Sequence, residues 1–281
     1  MLISYCVAIV DRGFFLNTEV EVMAGTALIT GASAGIGEEL ARLHAEKGGD
    51  LIIVARRKDR LDALASELKV EHDIDVHVII SDLAQPGAAQ VLAAEVESRG
   101  LEVDVLINNA GFGGHGKFHE CDIEREQRMM QVNMVALTEL THHLVKGMVA
   151  RGGGMVLNVG STAGFLPGPL QAVYYASKAY VNSFSQAIAN ELQGTGVTVT
   201  VLCPGPVATE FQAVGELDGV KGFDLAADAR SVAVCGYKAM EKGELLAVND
   251  RRISFLLRGI LPFLPRKSVL SMSRKTMEKS S

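Results

Sequence analysis

Six short apolar runs, at residues 27–30, 51–54, 76–80, 103–107, 155–159 and 197–202, recur along this chain, with helical stretches such as 61–70 and 88–98 between them. Strands that are apolar almost throughout must be covered on both faces, because a half-exposed strand alternates polar and apolar residues. Alternation of such strands with helices points to a parallel sheet carrying helices on each side. The expected fold is therefore α/β: a doubly wound parallel sheet of about seven strands in a three-layer sandwich, with residues 245–248 as a short seventh strand. No internal repeat, low-complexity linker or domain boundary interrupts the pattern, and 281 residues suffice for a large core. A single domain is expected over 23–281. Residues 1–22 are expected to form a loosely attached extension, with Met23 a candidate natural start. Their apolar stretch, 2–10, is short, lacks a basic lead and meets Asp11 and Arg12.

The first apolar run opens into Thr30-Gly31-Ala32-Ser33-Ala34-Gly35-Ile36-Gly37, followed by an amphipathic stretch ending near Lys47. Strand, Gly-rich turn and helix is the setting in which backbone N–H groups at a helix start receive a phosphate. Gly31 permits a tight turn, Gly35 lets the backbone approach a pyrophosphate, and Gly37 lets helix and strand pack closely. From the glycines alone, a turn with no ligand fits as well.

Tyr174, Ser177 and Lys178 lie in the run Tyr-Tyr-Ala-Ser-Lys, and Ser161 stands upstream at the end of the fifth apolar run. A spacing of four on a helix puts the Tyr174 phenol and the Lys178 ammonium on one face, a turn apart. A phenol with a pKa of about 10 is a poor base at neutral pH, and a fixed cation favours its ionised form. Bringing that pKa to about 7 requires roughly 4 kcal/mol of differential stabilisation. A bare Tyr-x-x-x-Lys is more often an ordinary helix with packed Tyr and solvated Lys; agreement with the Gly-rich turn gives it weight.

Together these segments resemble the short-chain dehydrogenase/reductase family, in the branch carrying Thr-Gly-x-x-x-Gly-Ile-Gly and Tyr-x-x-x-Lys. Asn108-Asn109-Ala110-Gly111 after the fourth strand, Asn133 in the next helix and Pro204-Gly205 after the sixth strand extend the likeness from about Met23 to Thr209. The resemblance implies a Rossmann-type sheet and reversible hydride transfer between a nicotinamide cofactor and a carbonyl/alcohol pair. It makes Tyr174 the general acid/base and Ser161 the hydrogen-bond partner of the substrate oxygen. Lys178 would bind the nicotinamide ribose and lower the Tyr174 pKa, while Asn133 would hold a water relaying protons to Lys178. Tyr175 stands three residues from Lys178, not the family's four.

For the cofactor, the resemblance assigns Gly31, Ser33, Gly35, Ile36 and Gly37 to the phosphates. Asp82 and Leu83 fall at the adenine, Asn109, Ala110 and Gly111 on the adenosine side, and Pro204, Gly205, Val207 and Thr209 around the nicotinamide, joined by Tyr174 and Lys178. Ala55 stands where an acid commonly holds a free ribose, and Arg56, Arg57 and Lys58 follow. A carboxylate there would repel a 2′-phosphate, whereas a guanidinium grips it with two hydrogen bonds. Arg56 and Arg57, with the Ser33 hydroxyl, therefore imply NADP(H). Nucleotide-sugar epimerases share the Tyr and Lys but space their glycines Thr-Gly-x-x-Gly-x-x-Gly, which Gly31, Gly35 and Gly37 do not match. A non-catalytic NADP(H)-binding sensor or scaffold is the alternative, although all four catalytic positions are filled. In the family, helices matching 120–150 and 172–193 pair with a second subunit, implying a homo-oligomer, dimer or tetramer. The stripe Met129, Met130, Leu137, Leu140, Leu144 and Met148 fits equally a helix facing its own sheet.

The substrate pocket is expected from residues 112–119, 162–173 and 211–223. Phe165, Leu166, Leu170, Phe211 and Phe223 would make it apolar, suited to a bulky hydrophobic ketone or alcohol. A net charge of −6 argues against a nucleic-acid footprint. Four scattered cysteines, Cys6, Cys121, Cys203 and Cys235, without a secretory signal suggest free thiols in the cytoplasm. No apolar run is long enough for a membrane span. His115, His119, Cys121 and Asp122 lack the spacing of a structural zinc site, and no metal is expected. Residues 253–264 are apolar but broken by Arg258 and Pro262. They fit a substrate lid, an oligomer contact or a membrane-surface helix, with a lid or core segment the preferred reading.

Overall fold

Strands form where the apolar runs lie. In the computed structural model, which describes residues 25–223 and 226–279, these are β1 (Thr26–Thr30), β2 (Asp50–Ala55), β3 (Val76–Ile80), β4 (Val105–Asn108), β5 (Gly154–Val159), β6 (Val197–Leu202) and β7 (Leu246–Ala247). They make one sheet of order β3-β2-β1-β4-β5-β6-β7, parallel at every pairing. The chain reverses its direction of growth between β1 and β4, and a crevice opens at the carboxyl ends of those strands. The expectations for residues 1–22 and for Met23 lie outside the described residues.

Both faces of the sheet are covered, as continuous apolar strands require. Neighbouring residues feed opposite layers: Ile29 and Ile53 pack with helices α1 (Gly35–Ala45) and α2 (Lys58–His72), and Leu28 and Ile52 with α3 (Ala88–Ser98) and the helices that follow. All four side chains are fully buried. Removing one of these side chains down to alanine would cost about 2–5 kcal/mol. His44 of α1 is buried as well, with Nδ1 2.8 Å from the Tyr237 hydroxyl of a later helix and Nε2 3.0 Å from the Gly25 carbonyl.

The stretch expected as a single helix over 120–150 is divided. It runs as α4 (Ile123–Met130), a π-helical turn (Gln131–Ala136) and α5 (Leu137–Arg151). Asp122 caps its start by accepting from the Glu124 N–H at 3.0 Å. Helix α6 (Ala172–Glu191) follows β5, then a single turn α7 (Phe211–Val214) follows β6, and α8 (Ala229–Glu241) precedes β7. Met129, Leu137, Leu140 and Met148 of the apolar stripe are buried against the protein's own interior, so the stripe itself carries no argument for a second subunit.

After β7 come α9 (Arg251–Phe255), a π turn (Leu256–Ile260), a 3-10 turn (Leu261–Phe263) and α10 (Arg266–Met277). The preference for a lid or core segment at 253–264 does not hold. Only Leu257 is buried there, and none of these residues lines the main cavity. Pro262 and Pro265 punctuate the segment, preventing one long helix from lying down on the core. No helix among the described residues is long and apolar enough to cross a membrane.

Candidate active site

The crevice contains a cavity of about 400 Å³ that runs from the Gly-rich turn to Tyr174. At one end, the turn between β1 and α1 is held open by geometry. Gly31 and Gly35 have φ of +68° and +60°, a region that disfavours side chains. A Cβ on Gly37 would lie 2.4 Å from the Gly31 carbonyl oxygen, so helix and turn are in backbone contact. Ala34 begins α1 without a side-chain cap, which leaves the first-turn N–H groups facing the crevice for an anion. Asn109 supports the turn from β4: its Nδ2 donates to the Thr30 and Gly31 carbonyls at 3.0 and 3.2 Å. Thr30, buried beneath, accepts from the N–H groups of Asn109 and Ala110 through Oγ1. The Asn109 side chain is thus spent on shaping the turn, and Thr30 is a supporting residue that the motif alone did not single out.

At the β2 end, Ala55 closes the strand and Arg57 caps α2, with Lys58 as its first residue. The Arg57 guanidinium reaches back to the turn. Nη2 donates to the Ser33 carbonyl and hydroxyl, each at 3.2 Å, and Nη1 meets a Glu210 carboxylate oxygen at 2.7 Å across the crevice. Arg56 lines the same end and is exposed. Asp82 and Leu83 also line the cavity, and the Asp82 carboxylate accepts from the Ala84 N–H at 3.2 Å. On the far side, Pro204, Gly205, Val207 and Thr209 wall the cleft, with the Thr209 methyl against the place where a Cβ of Gly35 would lie.

At the other end, α6 brings Tyr174, Ser177 and Lys178 against the ends of β4 and β5. Ser161, at the mouth of β5, is a neighbour of the Tyr174 phenol; its Oγ donates to the Pro204 carbonyl at 3.4 Å and accepts from the Ala163 N–H at 3.0 Å. Lys178 Nζ donates to the Val159 carbonyl at 2.8 Å and sits 5.9 Å from the Tyr174 ring centre. Burial pushes the Tyr174 phenol above the ordinary tyrosine range, with the Ser161 hydroxyl opposing it, and pushes Lys178 down to about 8. Burial thus works against the phenol lowering expected from Lys178, and it penalises the Lys178 charge as well.

Asn133 sits in the π turn, almost fully buried, and Gly111 packs against it. Both amide protons are committed, to the Phe112 carbonyl and to Ser177 Oγ, each at 3.0 Å, while Oδ1 accepts from the Phe112 N–H at 3.2 Å. The amide group clamps the β4 loop to α6. Ser177 completes the clamp by donating to the Tyr174 carbonyl at 2.7 Å.

Apolar groups continue the cavity past Tyr174: Phe112, Tyr175, Phe211, Val214, Phe223 and Met277. Phe211 tilts onto Tyr174 with ring centres 5.4 Å apart. Three of the expected pocket residues lie elsewhere. Phe165 packs with Val181, Val201 and Cys203 beneath the sheet end, and Leu166 and Leu170 support Tyr175 and its neighbours from outside the cavity. Met277, which the sequence motifs missed, arrives from α10. Its carbonyl accepts from His115 Nε2 at 2.8 Å, and Val220 bridges to Lys279. His115 therefore serves a contact to the C-terminal helix.

The sequence-family comparison matches residues 25–217 to the short chain dehydrogenase model. The chain belongs to the short-chain dehydrogenase family. This dehydrogenase is 37% identical over 194 residues to sulfoacetaldehyde reductase 2 of Chromohalobacter salexigens, covering 68% of this chain and 76% of that one. It is 38% identical over 189 residues to an NADP-dependent 3-hydroxy acid dehydrogenase of Salmonella typhi, covering 66% and 75%. Among solved structures it resembles a short-chain dehydrogenase from Sphingobium yanoikuyae in complex with NADPH. That match has a TM-score of 0.77 and 30% identity, over 86% of this chain and 96% of that one. The Gly turn in backbone contact with α1, the uncapped first turn and the guanidinium beside Ser33 fit a dinucleotide bearing a 2′-phosphate.

Proposed function

We propose that this dehydrogenase interconverts a carbonyl and an alcohol with NADP(H), acting on an apolar substrate. One observation carries the reading: the buried phenol of Tyr174, with Ser161 beside it, lies at the far end of the same cleft that begins at the Gly-rich turn and Arg57. When bound, NADPH supplies a hydride and NADP⁺ accepts one. Gly31, Ser33, Gly35, Ile36 and Gly37 would hold the phosphates, and Arg56 and Arg57 the 2′-phosphate. Asp82, Leu83, Asn109, Ala110 and Gly111 would line the adenosine, and Pro204, Gly205, Val207 and Thr209 the nicotinamide, with Tyr174 and Lys178 between.

In reduction, Tyr174 gives its proton to the carbonyl oxygen as carbon receives the hydride. Its raised pKa keeps that proton available throughout the neutral range. Ser161 hydrogen-bonds the same oxygen and stabilises the charge that develops there. Lys178, poised at about 8, holds or releases a proton near neutral pH and so restores Tyr174 after transfer. Asn133 and Ser177 fix the α6 face and the Phe112 loop in register. Phe112, Phe211, Phe223 and Met277 exclude water from the reacting atoms and favour a hydrophobic ketone.

A panel of aldehydes and ketones with NADPH, followed by loss of nicotinamide absorbance, tests the assignment. Tyr174→Phe should abolish turnover while NADPH binding persists; retained turnover would reject Tyr174 as the acid. Tight NADPH binding with no turnover on any carbonyl would favour the sensor or scaffold reading. We further infer a homo-oligomer formed through α5 and α6, supported by the half-exposed Val149 and Tyr180 on them. A cytoplasmic location is supported by the free thiols of Cys121, Cys203 and Cys235.

A further inference from the structure

Residues 251–277 contain seven cations and no acidic residue, in a chain whose net charge is −6. All seven are exposed. Arg274 pairs with Glu278 at 3.4 Å, whereas Arg251, Arg252, Arg258, Arg266 and Lys267 form no ion pair among the described residues. Among these charges stand large apolar side chains turned to solvent: Phe255 is 68% exposed and Phe263 84%, with Leu256 and Ile260 beside them. Leu257 turns inward and anchors the apolar part of the segment, while Val269 and Met277 anchor α10. Exposed aromatics of this size grouped together mark an interaction surface.

We infer that this face docks on an anionic lipid surface, with Phe255, Leu256, Ile260 and Phe263 entering the interface and the arginines and Lys267 meeting lipid phosphates. The chemistry is that of an interfacial amphipathic segment, where apolar insertion and attraction to anionic headgroups act together. The charge distribution selects this occupant over a second copy. A symmetric dimer lays a patch on its own equivalent, which here sets unpaired cations against unpaired cations. The remaining surface is acidic in balance and is repelled by an anionic bilayer, which leaves one face able to approach. The contact is superficial, since no helix among the described residues can span a membrane. Through Pro265 the segment passes directly into α10, whose Met277 walls the cavity, so lipid contact and pocket wall belong to one continuous stretch.

Co-sedimentation of the full chain with vesicles tests this, using about 30% phosphatidylglycerol in phosphatidylcholine against phosphatidylcholine alone, at about 0.1 M salt. Binding to the anionic vesicles only is expected. Each cation near such a surface changes partitioning about fivefold, so Arg258→Glu, Arg266→Glu and Lys267→Glu together should weaken binding roughly 100-fold or more. Phe255→Asp with Phe263→Asp should also abolish sedimentation while NADPH binding and the melting temperature stay unchanged. Absence of sedimentation by the parent, or sedimentation of both variants like the parent, would overturn the inference. So would light scattering in which the double Phe variant converts an oligomer to a smaller species, which would assign the patch to a second copy.

Discussion

Arg57 holds three partners that give its replacement a distinctive signature. Its guanidinium bonds the Ser33 hydroxyl and carbonyl and pairs with Glu210, and both members of that pair are about half exposed. A hydrogen bond to a charged group contributes about 1.5–3 kcal/mol, so Arg57→Ala should weaken NADPH roughly 10- to 150-fold. NADH lacks the phosphate and should bind almost as before. Glu210 competes for the same guanidinium, but an exposed ion pair is worth only about 0–1 kcal/mol. Glu210→Gln should therefore tighten NADPH by no more than about fivefold, and in the Arg57→Ala background it should do nothing. Titrations following nicotinamide fluorescence, with both cofactors and all four proteins, provide the measurement. Equal loss of NADH and NADPH affinity in Arg57→Ala would refute the reasoning: Arg57 would then act by shaping the Ser33 turn.

Gly37→Ala drives a Cβ to 2.4 Å from the Gly31 carbonyl, and rigid backbone cannot yield as a side chain does. Melting should fall by several degrees, reflecting about 1–3 kcal/mol of overpacking, with loss of NADPH binding; an unchanged melting curve would contradict the packing described. Lys178→Met removes a buried ammonium whose pKa falls from 10.5 to about 8 on folding. Between those values the unfolded chain holds the extra proton, so the parent gains stability as pH rises. The variant's advantage, at most about 3 kcal/mol below pH 8 and reduced by the stranded Val159 carbonyl, should therefore shrink toward pH 10.5 in urea titrations. A pH-independent difference would show that Lys178 does not change its pKa on folding. Cys203 is fully buried and its thiol is pushed up to about 12. Iodoacetamide at neutral pH should label it only after denaturation, as read by peptide mass; labelling of the folded protein would disprove its enclosure.

The sheet was legible because its signal is local: each β-strand's burial on two faces writes itself into consecutive residues such as Leu51–Val54. The cleft was legible for a related reason, since Gly31, Gly35 and Gly37 answer to backbone geometry within one turn. What escaped depends on distant segments. Met277 reaches the cavity through contacts with His115 and the 220–223 turn, which no periodicity encodes. Phe165 was drawn into the pocket by chain proximity to Ser161, yet the 3-10 turn after Ser161 rotates it toward Val181. The π turn that carries Asn133 interrupts a stretch expected as one helix, with neither Gly nor Pro in 131–136 to mark it. The upward push that burial gives Tyr174 was not legible for an energetic reason: spacing shows that an amine is near but says nothing about how much water both groups have lost.

The last helix adds one wall to a cavity whose dinucleotide end is built by the first half of the chain. The adenosine and phosphate end is built by the turns after β1, β2, β3 and β4, whereas the wall beyond Tyr174 is completed by Met277 of the last helix. Changes in that final helix can therefore retune which molecules are admitted without disturbing the grip on the dinucleotide. Grafting foreign C-terminal tails onto this scaffold is accordingly a route to new selectivity at constant coenzyme preference.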